Sequence, residues 1–285
     1  MTNSFGVNSL ATRGPSRAVW GNLFSSLRDD PSRGVLFFDD FVNHPAHISS
    51  QTIGNYASYI DTGVTLKSIP TATLENGEAG VFEVAGNDAT HDEGSITTGG
   101  GSGTFLKISD TAAEKGGVYF EARVKKATVA TVDTGFFVGL SEEGAQTADA
   151  MVDTTGVLIT TKDFIGFHCF GGTTGSGSVV RAMYQKASQT SQSIVATAKT
   201  MVADTWVKFG FKYQPWLGAD RQITYVVDGV ELGTYVTATN IAAATFPDGE
   251  ELAMTFLTKN FLTTTESKLQ MDWWCAAQLF PGVVP

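Results

Sequence analysis

Cysteine, histidine and proline are all scarce in this chain: two, four and eight residues among 285. Cys169 and Cys275 stand far apart in apolar, strand-like surroundings. That excludes a disulfide framework and predicts two reduced thiols in the core. His44, His47, His91 and His168 show neither H-E-x-x-H nor a metal-ligand spacing with the cysteines. The nucleophile signature G-x-S-x-G and the phosphate-cradling patterns G-x-G-x-x-G and G-x-x-x-x-G-K-S/T are also missing. No cofactor is expected. No apolar run approaches the roughly 20 residues of a membrane span. The first twenty residues are polar, carry Arg13 and Arg17, and lack the apolar segment of a secretory signal. The chain is therefore expected to be made in, and to stay soluble in, a cytoplasm unless a partner carries it out.

Basic residues are outnumbered: 19 Lys and Arg against 29 Asp and Glu, a formal charge of −10. An acidic surface excludes the phosphate backbone of nucleic acid and anionic membranes as main partners. The imbalance is uneven. Residues 1–33 hold four arginines (Arg13, Arg17, Arg28, Arg33) against Asp29 and Asp30, so they carry +2 and the remainder −12. In this arm Val19, Trp20, Leu23, Phe24 and Leu27 recur at helical spacing, with Ser16 placed to cap and Asp30-Pro31 to stop. Gly21 weakens that helix by about 1 kcal/mol. The arm either folds back on its own domain or docks on a partner subunit through these apolar and basic side chains.

What the chain has in quantity is glycine, 31 residues, and period-two alternation. Val207, Phe209, Phe211 and Tyr213 fall on one side of a ribbon, with Lys208 and Lys212 on the other, as in a half-buried antiparallel strand. Ile223, Tyr225 and Val227 repeat the rhythm, and Asp228-Gly229 supplies the positive-φ pair of a tight hairpin. Further strands are predicted over 34–42, 63–66, 80–85, 94–98, 103–108, 116–125, 134–140, 163–170, 179–184, 193–198, 251–258 and 268–278. Gly99–Gly101 reads as a hairpin loop between two of them, and 268–278 as the strand closing the sheet. On the strand after Gly117, Val118, Phe120, Ala122 and Val124 share one face. Glu121 and Arg123 share the other and are expected to pair weakly in water.

Several stretches carry a resemblance. "VKFGFKY" with "VDGV" and "GTY", "YFEARVK" at 119–125, and "MDWW" at 271–274 resemble strands of concanavalin A-like jelly rolls, the fold of lectin, laminin-G-like and glucanase modules. The likeness spans roughly residues 34–280. It implies an all-β sandwich of two antiparallel sheets at 34–285, preceded by the arm at 1–33. Together with "RGVLFFDDF", "ENGEAGVFEV", "GFFVGLSEEG", "KDFIGF" and "TYVTATNIAAATFPDGEEL", the chain also resembles structural proteins of tailed bacteriophages. That resemblance implies a non-enzymatic capsid decoration or cement protein on the virion surface. Its partners would be the major capsid protein or other virion subunits, in a homo-oligomer. Deleting residues 1–33 is then expected to leave a folded sandwich that no longer joins particles.

Glucanases of this fold carry Glu-x-Asp-x-x-Glu on one strand, and none of the twelve glutamates here has an aspartate two residues on. On that reading the chain is expected not to be an enzyme. The adjacent Glu142 and Glu143 point to opposite faces of a strand, as do His168 and Cys169. Asp88–Glu93 is the best oxygen-rich stretch for calcium. Trp216 in a turn, Trp20 in the arm, and Tyr56 and Tyr59 in a polar loop are expected to be exposed aromatics. Such rings stack on sugars or anchor an interface, so carbohydrate binding, with Trp216 as the candidate contact, is the alternative function.

Overall fold

The computed structural model describes residues 14–41, 52–53, 56–61, 64–69, 80–85, 91–98, 104–111, 114, 116–129, 134–153, 155–171, 177–261 and 268–285. Two short helices come first, α1 (Arg17–Trp20) and α2 (Leu23–Asp29). The strands follow as β1 (Gly34–Asp39), β2 (Thr52–Ile53), β3 (Tyr56–Ile60), β4 (Thr65–Ile69), β5 (Val81–Ala85), β6 (Glu93–Thr98) and β7 (Leu106–Lys107). Next are β8 (Val118–Lys126), β9 (Thr134–Glu142), β10 (Phe164–Cys169), β11 (Val179–Gln185) and β12 (Gln192–Thr200). The chain continues through β13 (Thr205–Gln214), β14 (Gln222–Val227), β15 (Val230–Val236), the helical turn α3 (Ala238–Ile241), β16 (Glu251–Asn260) and β17 (Lys268–Leu279).

These strands form two antiparallel sheets packed face to face. Sheet A runs β15-β14-β13-β8-β17-β5-β4, with β1 also on β17, and sheet B runs β12-β11-β10-β9-β16-β6-β3-β2, with β7 also on β16. The alternation read from the sequence decides which side chains enter the core between them. Phe120, Ala122, Val124, Val207, Phe209 and Phe211 of sheet A meet Phe136, Val138, Ile165, Phe167 and Phe256 of sheet B, all buried. Asp228 and Gly229 take φ of 51° and 79°, the left-handed pair that closes β14 onto β15.

Other expectations change. Gly21 ends α1 with φ of 52°, so the arm's helix is broken in two, and Ser16 caps through its carbonyl rather than its hydroxyl. β6 and β7 do not pair with each other: both pair with β16, so no hairpin joins them, and Gly99–Gly101 lie outside the described residues. β17 does not close the sheet. It lies inside sheet A, with β8 along one edge and β5 and β1 sharing the other. β3 puts Tyr56 and Tyr59 on a strand where the sequence placed them in a polar loop.

Gly139 of β9 and Gly166 of β10 face each other in register. A Cβ at Gly139 would sit 2.3 Å from Ile165 O, with the Phe137 ring at 2.9 Å. Gly139→Ala should therefore cost about 1–3 kcal/mol through overpacking, read as a lower urea midpoint. An unchanged midpoint would show that the two strands do not come this close in solution.

Candidate functional site

Each sheet has an outer face, and the chain covers both in part. On sheet A the cover is the arm. Val19, Trp20, Leu23 and Leu27 are buried against Tyr119, Trp273, Cys275, Ala277 and Leu279. Gly210 leaves room for this packing, since a Cβ there would lie 3.0 Å from Val19 Cγ2. Ser16 N–H and Trp20 Nε1–H both donate to Glu121 Oε2, at 2.7 and 2.9 Å. Lys212 Nζ donates to Ala18 O at 2.8 Å. The expected weak Glu121–Arg123 pair is replaced: Glu121 serves the arm, and Arg123 pairs with Asp272 while lying 4.7 Å from the Trp206 ring centre.

Among the other arm residues, Arg17 and Arg28 are exposed, and Phe24 is half-buried between the Trp20 and Phe38 rings. Arg33 reaches Ser26 Oγ and Val284 O. Arg13 lies outside the described residues. Trp216 is half-buried, its ring stacked on Tyr119 at 6.5 Å. Trp20 and Tyr56 are not exposed: Trp20 is turned inward from the arm onto sheet A, and Tyr56 lies in the core, donating to Asp39 and accepting from Trp274 Nε1 at 3.3 Å.

On sheet B the cover is the segment between β9 and β10. Its Ala145, Ala150, Met151 and Leu158 pack on Phe137, Phe164, Met183 and Leu257, which point outward because their neighbours point inward. His168 lies beneath this strap. Burial drives it down to about 3, against a hydrogen bond to the Gly156 backbone, and the charge of Arg181 adds to the effect. It is a neutral imidazole, turned away from Cys169, which faces the core.

Beside the strap lies the cluster that stands out chemically. Lys259, near the end of β16, pairs in register with Glu93 at the start of β6. Both side chains are 1% exposed. Four oxygens converge on Lys259 Nζ: Glu93 Oε2 at 3.2 Å, Asp149 Oδ1 at 3.0 Å, Met151 O at 2.8 Å and Asp153 Oδ1 at 2.5 Å. Asp149, Met151 and Asp153 all belong to the strap, and Asp149 takes a left-handed φ of 59°. His91, with φ of 71°, places Nδ1 3.7 Å from Asp153 Oδ2 and its ring edge-on to Phe261. Backbone bonds from His91 N to Asn260 O (2.7 Å) and from Asp61 N to Glu93 O (3.0 Å) hold the surrounding chain.

Burial pushes the Glu93 carboxyl up to about 7, against the pull of Lys259 and a backbone hydrogen bond from Met151. Burial also opposes the charge on Lys259, but Asp153, Glu93 and Asp149 together hold its pKa above the ordinary lysine value. Burial would raise Asp153 too, and the hydrogen bond and charge of Lys259 overturn that, leaving it below the usual carboxylate range. A carboxyl that keeps its proton to about pH 7 thus sits beside one that gives its proton up easily.

Of the stretch considered for calcium, residues 88–90 lie outside the described residues. At Glu93 the neighbouring charge is the chain's own ammonium. Among the described residues, no three His, Cys, Asp or Glu side chains are grouped to hold a metal ion. No helix among them is long and apolar enough to cross a membrane.

The sequence matches no family model and no curated protein. The fold does have solved relatives. A protein of unknown function from Shewanella oneidensis MR-1 matches with TM-score 0.54 and 14% identity, over 89% of this chain and 90% of that one. An endo-1,3-beta-glucanase from Streptomyces sioyaensis matches with TM-score 0.51 and 14% identity, over 88% and 98%. Peanut lectin matches with TM-score 0.51 and 12% identity, over 86% and 97%. The fold is thus that of concanavalin A-like lectins and glucanases, as the sequence resemblance implied.

The glucanase corrects one expectation. A missing Glu-x-Asp-x-x-Glu spacing does not make the chain a non-enzyme, because the fold is shared with an enzyme over almost its whole length. That spacing is one arrangement of carboxyl groups, and sequence alone does not show what others the fold assembles. The virion role draws no support from these likenesses.

Proposed function

We propose that the chain binds carbohydrate at the outer face of sheet B, at the end where the Lys259 cluster meets the strap. The observation that carries this reading is a set of carboxylates fixed in orientation yet open to ligand. Asp149 and Asp153 are 70% and 44% exposed while both are held by one buried ammonium. Fixed carboxylates accept paired hydrogen bonds from sugar hydroxyls without first losing side-chain entropy. Tyr59, half-buried on the outward face of β3, offers a ring nearby. The fold shared with a lectin and a glucanase is consistent with this chemistry.

The virion setting is a proposal of place rather than of chemistry. With the buried apolar side chains of the described arm turned onto its own sheet, Arg17 and Arg28 are the exposed basic groups that its described residues offer a capsid partner.

The test is a glycan array with the whole chain, followed by calorimetry on the hits. The double substitution of Asp149 and Asp153 by Asn should weaken binding about tenfold or more, as expected on losing charged hydrogen bonds. Trp216→Ala should leave it unchanged. Loss of binding with Trp216→Ala alone would move the site to the far side of the sandwich. Release of reducing sugar in the same samples would make the site catalytic.

A further inference from the structure

The hydrogen-bond inventory of the Lys259 cluster narrows the class of ligand, on the reading that carbohydrate binds there. An ammonium carries three N–H donors and no acceptor. Four oxygens already surround Lys259 Nζ, so its donors are spent within the protein. What the cluster still offers is acceptors. The outer oxygens of Asp149 and Asp153 lie at its open side; behind them Glu93 Oε1 is buried with no hydrogen-bond partner among the described residues and becomes an acceptor only once Glu93 loses its proton. Three carboxyl groups against one ammonium leave −2 when Glu93 is ionised and −1 when it is protonated. The groups facing this cluster from neighbouring segments are Tyr59, Asp61 and His91: Asp61 adds one acid, and His91, when protonated, sets a cation 3.7 Å from Asp153 Oδ2. The whole chain carries −10, which does not offset this local sign.

We propose that this site selects carbohydrate bearing free amino groups, whose ammonium donates to Asp149 and Asp153, and rejects sugars bearing carboxylate or sulfate. An ammonium supplies the donors the cluster lacks and the charge it is short of. A hydroxyl supplies donors alone, and an anionic sugar meets repulsion. Selectivity therefore comes from the open carboxylates, while the buried Lys259 keeps them in place.

Three oligosaccharide probes of equal length test this by calorimetry at pH 6: a glucosamine oligomer, its N-acetylated form and an oligogalacturonate. The glucosamine oligomer should bind about tenfold or more tighter than the acetylated one, and the uronate should not bind. Raising salt from about 50 to 500 mM should remove most of that advantage in the unaltered protein, through screening of exposed charge. This arm of the test depends on no variant folding. D149N/D153N should bring the glucosamine oligomer to the affinity of the acetylated one. Equal affinity for the amino and acetylated forms in the unaltered protein overturns the selectivity and leaves carbohydrate binding standing. Tightest binding of the uronate also overturns it. No binding of any of the three overturns the selectivity, and carbohydrate binding itself falls when the glycan array is blank as well.

Discussion

Lys259→Met should lower the unfolding free energy by about 3–5 kcal/mol at pH 8, as expected when one partner of a buried ion pair is removed. The loss should be clearly smaller at pH 5. The reason lies in Glu93, which is buried with Lys259 and titrates near 7. Above that pH it is a carboxylate whose counter-charge the substitution deletes. Below it, Glu93 is neutral, and only the partly exposed contacts to Asp149 and Asp153 and the bond to Met151 O are lost.

The sign for Glu93 itself follows from the direction of its shift. Its folded pKa is raised above the ordinary value, so its contribution to stability is whole below about pH 4.5 and is lost as pH rises through about 7. Glu93→Gln should flatten that pH dependence, and adding it to Lys259→Met should recover much of the loss at pH 8. Urea unfolding at the two pH values decides the matter. Equal losses for Lys259→Met at both would mean that Glu93 is not the group left stranded.

Trp20→Ala should be as costly, about 3–5 kcal/mol for deleting a large buried ring. It also takes one of two donors from Glu121, a carboxyl that burial raises and that Ser16 and Trp20 help to hold down. Trp20→Phe keeps most of the packing and loses the indole N–H, so its cost should fall between those of the unaltered chain and Trp20→Ala. By the same physics, removing residues 1–33 should leave a much less stable sandwich, since it bares Tyr119, Trp273 and Cys275 and strips Glu121 of its partners. A loss below about 1 kcal/mol for Trp20→Ala would show the arm to be undocked in solution.

The arm shows where sequence reading succeeds and where it stops. The spacing of Val19, Trp20, Leu23 and Leu27 identified the buried face, because helical periodicity is a local property. It could not say that this face lands on Tyr119 and Cys275, which are far along the chain. Strands β13, β14 and β15 were legible for the same local reason: alternation within each, and Asp228-Gly229 between the last two. The position of β17 inside sheet A was not, because strand order is decided by long-range pairing. Tyr56 read as a loop residue because the polar sequence around it hides its partners, Asp39 and Trp274.

The Lys259 cluster was the least legible feature of all. Its charges come from β6, the strap and β16, and the bonds joining them bridge 110 and 166 residues. The one signal available was the acidic stretch ending at Glu93, which suggested an external cation. Nothing near it in sequence indicated that a lysine would fill that role.

The place of β17 bears on how the chain is born. Ribosomes deliver residues 268–279 after every other described strand has emerged, yet those residues separate β8 from β5 and carry β1 as well. Sheet A must wait for its keystone: until then β8 has β13 on one edge only, β5 has β4 on one edge only, and β1 has no strand to pair with. Such late, non-local closure is slow. Nascent chains stalled before residue 268 should therefore be open to proteases and dependent on chaperones in a way the finished protein is not.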